Sequence, residues 1–242
     1  MVAGLAFLAT AIATLFAEAT FVRWTRKRSP HLGAWTISLA LFAVASGALA
    51  VGVSTGWDKG TFRVFFLAGA VLTVPWLALG TVALLLSPTT TRRVRTAVIF
   101  FSGLSVGVML SAPMIAVSGT EIPIGSDVFG PLPRVLAAIG SGVGAIVVIA
   151  GSVVSIFRFA RDRTNPHAGR MVGANVLITI GVVVLSSGGL LQGLVGHDEA
   201  FALTLTIGIA IIYAGFLIAE GRTRPEVGST SELADESASW AD

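Results

Sequence analysis

In an apolar chain the ionisable side chains are the ones able to do chemistry, because burying a charge in hydrocarbon is costly and marks function by default. This chain keeps them at the edges of its apolar stretches. Glu18, near the end of the first stretch, is the clearest exception. A carboxylate there could relay a proton, or form an intramembrane polar pair with Asn175. It also lies four residues from Val22, about 6 Å along a helix, where water and Arg23 would solvate it. An interfacial or structural carboxylate is therefore the favoured reading.

The other candidates exclude more than they suggest. His31, His167 and His197 fall in three different connectors, so no shared metal site is expected. Cysteine is absent, which removes thiolate catalysis and Cys-ligated metals. Ser141 sits between Gly140 and Gly142 with no intramembrane base to activate it. There is no HExxH, no pair of intramembrane aspartates and no P-loop. The only lysines are Lys27 and Lys59, both in connectors, which rules out a retinal Schiff base in the last helix. No catalytic set, cofactor or metal site is read from the sequence.

Weakly polar residues offer one binding hypothesis. Pro75, in the middle of the third stretch, cannot donate to the Val71 carbonyl and should kink the helix. Trp76 follows it, away from the interfacial belt, and wants a partner for its indole N–H. Ser186 and Ser187 loosen the sixth stretch, and Tyr213 lies at comparable depth in the seventh. A small ligand cavity among Trp76, Ser186, Ser187 and Tyr213 is one reading; ordinary packing with local hydroxyl bonds is the other. Small residues recur at four-residue spacing: Gly103, Gly107 and Ser111, then Gly140 and Gly144, then Gly189 and Gly193. They permit close helix approach within the bundle, or a homodimer face.

The elements that position these residues are membrane helices. Apolar residues form 54% of the 242-residue chain and charged residues 12%, where soluble domains carry about 25% charge. Seven apolar stretches of bilayer-spanning length cover 2–20, 33–53, 62–86, 97–117, 132–157, 171–195 and 200–220. Thirteen of the sixteen basic residues lie in the first, third and fifth connectors or just past the last stretch. Positive connectors stay cytoplasmic, which puts the N-terminus outside and the C-terminus inside. The same distribution argues against nucleic acid as a partner. Ala17-Glu18-Ala19 resembles a signal-peptidase site, but cleavage would translocate the cluster Arg23 to Arg28, so a retained first helix is expected. The fold class is thus all-α, a seven-helix transmembrane bundle over 1–222. An acidic cytoplasmic tail over 223–242 has too little apolar content to fold. Arg far outnumbers Lys, 14 to 2, which points to a bacterial chain in the cytoplasmic membrane.

One stretch has a familiar pattern. Trp35 opens the second helix, Gly56-Trp57 forms an outer turn, and Phe62-Arg63-Val64-Phe65-Phe66-Leu67-Ala68-Gly69 leads to Pro75-Trp76-Leu77 and Gly80. Over about 50 residues this resembles the second and third helices of seven-helix sensory modules in bacterial signalling proteins such as histidine kinases. The resemblance implies sensing through the bundle. In that family an output domain follows the last helix, whereas here Glu220 leads into the acidic tail, so no attached output domain is expected. The rest resembles actinobacterial multi-pass membrane proteins in general style. The functional expectation is a non-enzymatic sensor-like or accessory protein in the lipid bilayer. It would act through a second copy of itself or a separate signalling or transport partner on the cytoplasmic side. A small permease for a weakly polar solute is the alternative, and a membrane enzyme is third.

Overall fold

The computed structural model describes residues 1–161, 167–195 and 198–220, the side chains of 190–195 and 220 excepted. The first two spans are α1 (Val2–Lys27) and α2 (Pro30–Thr55). A third is assembled from α3 (Lys59–Phe65), a π-helical segment (Phe66–Leu72) and α4 (Thr73–Leu85). Then come α5 (Pro88–Ser111), the short α6 (Gly125–Val128), α7 (Pro131–Arg161), α8 (Ala168–Val195) and α9 (Asp198–Glu220). Seven of these units are long and apolar enough to cross a bilayer, as the hydropathy pattern requires. The described residues form no strand beyond an isolated bridge between Met114 and Phe129. His197, Asn165, Pro166, the surroundings of Gly193 and the acidic tail lie outside the described residues or side chains.

Helix ends follow capping chemistry more closely than hydropathy. Hydropathy places the fourth span at 97–117, yet α5 runs from Pro88 to Ser111. Ser87 caps its start by accepting from the Thr90 N–H, and Pro88 fills the first position, where no N–H is needed. Its end is set by Pro113, which holds Ala112 in an extended conformation. His31, read as a connector residue, lies in the first turn of α2 for the same reason, since Pro30 starts that helix. Asp58 caps α3, accepting from the N–H groups of Gly60 and Thr61 and from the Thr61 hydroxyl. That hydroxyl first, then the two N–H groups, holds its carboxyl below the ordinary 3.8. The cap is therefore intact near neutral pH and weakens as pH falls through the lowered value.

Six spans close a ring: α1 packs on α2, α2 on α4, α4 on α7, α7 on α8, α8 on α9, and α9 returns to α1. Thr206 seals the last joint by donating to the Leu5 carbonyl at 3.0 Å. Lipid gives helices no hydrophobic reason to associate, so close backbone approach must do it. A Cβ at Gly140 would lie 2.6 Å from the Val71 carbonyl, and one at Gly144 2.8 Å from Val74. Gly181 and Gly208 face each other's carbonyls across α8 and α9 in the same way. Three tryptophans press against glycines, where an added Cβ would meet the indole: Trp24 on Gly33, Trp35 on Gly80 and Trp57 on Gly52. α5 stands outside the ring, packed on α4, α7 and the π segment, and buries Ser105 and Met109. A Cβ added at its Gly103 or Gly107 would meet nothing within 4 Å, so the small-residue pattern serves the bundle in α7 and faces outward in α5.

The ring has two unlike ends. One carries the Arg-rich connectors and is the basic end. The other is capped by the 112–130 connector, whose first six residues the hydropathy pattern assigns to the fourth span. Ile122, Val128 and Phe129 are buried there against Trp57, Phe62 and Met109. Gly56 and Gly119, both at positive φ, bring the two connectors of this end together so that the Trp57 main-chain N–H reaches the Gly119 carbonyl at 2.8 Å. Arg63 reaches the same end and donates to the Ala112 carbonyl at 2.7 Å.

Candidate functional site

The third span is broken at mid-membrane, and its neighbours hold the break. Pro75 has no N–H for the preceding turn. The chain before it widens into the π segment, a distortion that gathers at functional sites. Carbonyls loosened there need donors, since lipid supplies none. Thr73 Oγ1 donates to the Ala68 carbonyl at 2.7 Å, Ser141 Oγ on α7 to the Ala70 carbonyl at 2.5 Å, and Ser38 Oγ on α2 to the Thr73 carbonyl at 2.7 Å. Ser141, considered above as a nucleophile, thus has a structural task. Ser38→Ala and Ser141→Ala should each destabilise the bundle by about 1 kcal/mol, the scale of hydroxyl bonds between membrane helices. Reversible unfolding in mixed micelles measures it.

Beside this break the ring encloses a cavity of about 100 Å³. Apart from Leu185 and the central Ile209, the lining residues come from the half of their span nearer the basic end, and α5 contributes none. Phe42, Val148 and Ile209 form apolar wall; Thr73 and Ser38 bring the broken span to it. Among the described residues, no Asp, Glu, Lys or Arg lines it. Thr20 and Thr81 turn their hydroxyl protons back to their own helices, on the Phe16, Ala17 and Leu77 carbonyls. Trp35 is a wall panel: its ring is pressed on Gly80, His31 meets it edge-on at 5.3 Å, and its buried indole nitrogen has no hydrogen-bond partner among the described residues. Toward the basic end, the Arg23 guanidinium lies 5.0 Å over the ring of Phe216, another lining residue.

The residues expected to gather around a cavity do not meet. Thr73, Leu77 and Thr81 share the cavity face of α4 at four-residue spacing, which turns Trp76 onto the adjoining face toward α5. There its indole N–H donates to Ser102 Oγ at 3.2 Å. Tyr213 packs at a tilt on Phe16, ring centres 4.9 Å apart, Ser187 donates to the Val184 carbonyl, and Ser186 is exposed. None of these four lines the void. Asn175 does, but without Glu18, and its amide donates to the Met171 carbonyl at 2.8 Å. Glu18 lies two residues beyond the inward-facing Phe16, about 200° around the helix, and is exposed. Glu18→Gln should therefore change stability by less than about 0.5 kcal/mol, and a larger loss in the same unfolding assay would reveal a buried partner.

The missed residues are Thr20, Trp35, Ser38, Thr73, Thr81, Ser152 and Ser155. A usable signal was present: small hydroxyls recur in the same half of several spans.

Fold and cavity define the chain as a multi-pass helical membrane protein with an intrabundle pocket. Compared with protein-family models, curated proteins and solved structures, it matches none.

Proposed function

We propose that the protein is a non-enzymatic, sensor-like or accessory membrane protein that holds a small molecule inside its helix ring and reports occupancy through the third span. One observation carries this reading: Thr73 both lines the cavity and sits at the junction of the π segment and α4. A guest touching Thr73 that favours one arrangement of the break over another would shift the balance between them. The likeness of the second and third spans to bacterial sensory modules supports it. The chain would sit in a bacterial cytoplasmic membrane with the basic end in the cytoplasm. The change would pass to a partner on that side, or to a second copy through the outward stripe Gly103, Gly107 and Ser111.

The test needs no known ligand. Ser155→Leu places a permanent occupant in the cavity. Hydrogen exchange over residues 66–75 should then change by roughly 0.5–2 kcal/mol of opening free energy, with α5 unaffected. Unchanged protection in the π segment refutes the coupling. Single cysteines at Lys27 and Ser126, in a chain with none of its own, read orientation by labelling from each side of the membrane.

A permease for a weakly polar solute is the second reading. The break beside a cavity favours it, because discontinuous helices form substrate sites in transporters. Solute flux in proteoliposomes that disappears in Ser155→Leu would decide for it.

A further inference from the structure

The hydroxyls around the cavity fall into two groups. Thr20, Ser38, Thr73 and Thr81 are committed to main-chain carbonyls. Ser152 and Ser155, on consecutive turns of α7, are not: each is more than nine-tenths buried, lines the void, and makes no hydrogen bond among the described residues. Serines in membrane helices ordinarily turn back to a carbonyl one turn earlier, as Ser46 and Ser102 do here. Asn175 stands across from them. It lies seven residues into α8, Ser155 lies six from the end of α7, and the two helices pack side by side. Its Oδ1 accepts no bond among the described residues, and one of its amide hydrogens is uncommitted. Three neutral polar groups thus face a void with apolar walls and no charge. Buried polar groups in such surroundings need partners.

Size and access narrow the guest further. A cavity of about 150 Å³ takes benzene, and a water's share of liquid volume is about 30 Å³; this one, at about 100 Å³, suits a guest somewhat smaller than benzene. Toward the far end the ring is closed by the aromatic cap around Phe62. Toward the basic end, Ser155 and Trp35 lie within two turns of the helix termini.

We infer that the cavity is a binding site for a small neutral molecule with an apolar body and one hydrogen-bonding group, held by Ser152, Ser155 and Asn175 and admitted from the basic end. This rests on the cavity reading above and adds the ligand's chemistry and its route. A charged guest is refused because nothing in the wall replaces its hydration. A purely apolar guest leaves three polar groups unpaired.

The experiment uses the full chain in bicelles and three probes of one shape: 2-propanol, 2-methylpropane and isopropylammonium. Ligand-observed NMR should show saturable binding of the alcohol and none of the cation. Ser152→Ala with Ser155→Ala should weaken the alcohol roughly tenfold, as loss of one or two neutral hydrogen bonds does, and leave the hydrocarbon unchanged. Ser155→Cys in vesicles should react with an impermeant thiol reagent from the basic side, and the alcohol should slow that reaction. Equal binding of alcohol and hydrocarbon, insensitive to the alanines, overturns the polar seat. Labelling from the capped side overturns the route. If Ser155→Cys is labelled but no probe saturates, the ligand class falls while the cavity stands. If it is inert from both sides and nothing binds, the cavity reading falls as well.

Discussion

Gly80→Ala is expected to destabilise the bundle by about 2–3 kcal/mol, at the upper end of overpacking costs, although it adds one methyl group. The new Cβ would overlap Trp35 Cδ1 and Nε1 and lie 2.9 Å from Cγ. Those atoms belong to a flat, rigid indole, so no flexible chain end can bend aside. Helix α4 cannot retreat either, because it is clasped on its other flank by α7, where Gly144 admits Val74 at near backbone contact. The open direction for the ring is into the cavity that it lines. The substitution should therefore cost stability and also narrow the void, weakening any guest. A double-mutant cycle isolates the contact. With Trp35→Ala in place, Gly80→Ala should cost less than about 1 kcal/mol, so that the pair shows a coupling of the size seen for touching residues. Additive losses in reversible unfolding would mean that the two helices separate freely and that the seat of Trp35 on Gly80 contributes little.

That contact also marks where the sequence stopped being readable. Seven spans were legible because a bilayer imposes one length scale and one charge rule, and both act locally along the chain. Pro75 was legible as a break because the missing N–H is a property of proline itself. Where the strain went was not. It is resolved by Ser38, 35 residues before Thr73, and by Ser141, 71 residues after Ala70, and no local pattern links those positions. The cavity was hidden for a related reason. Ser152 looks like Ser102 or Ser46 in the sequence, and all could turn to a carbonyl of their own helix. Only the ring's closure leaves Ser152 facing a void. Trp76 misled in the opposite direction: a tryptophan after a mid-membrane proline looks exceptional, yet Ser102 on the peripheral α5 satisfies it. Glu18, the most suspicious residue by type, is disarmed by its angle around α1.

The cap end supplies the other large effect. Phe62→Ala should cost about 3–5 kcal/mol, the range for removing a buried aromatic ring. Phe62 is fully buried and its ring centre lies 5.6 Å from Trp57, 5.7 Å from Phe129, 6.0 Å from Phe65 and 6.1 Å from Phe66. With Phe66, whose ring centre lies 5.0 Å from Phe129, it fastens the 112–130 connector to the third span, and it alone of the two also touches Trp57. Collapse around the hole is limited, because Trp57 is fixed on Gly52, where an added Cβ would overlap the indole. Phe62→Leu keeps most of the volume and should cost under about 1.5 kcal/mol. Combined with Ser155→Cys, the alanine variant carries a consequence that stability alone does not. With the cap loosened, an impermeant thiol reagent added on the capped side should begin to reach the cavity, while the leucine variant keeps it closed. A loss below about 1 kcal/mol in Phe62→Ala would show a slack cap. A full loss of stability with no new labelling would place the seal deeper, in the separate buried cluster of Val71, Leu72 and Leu136.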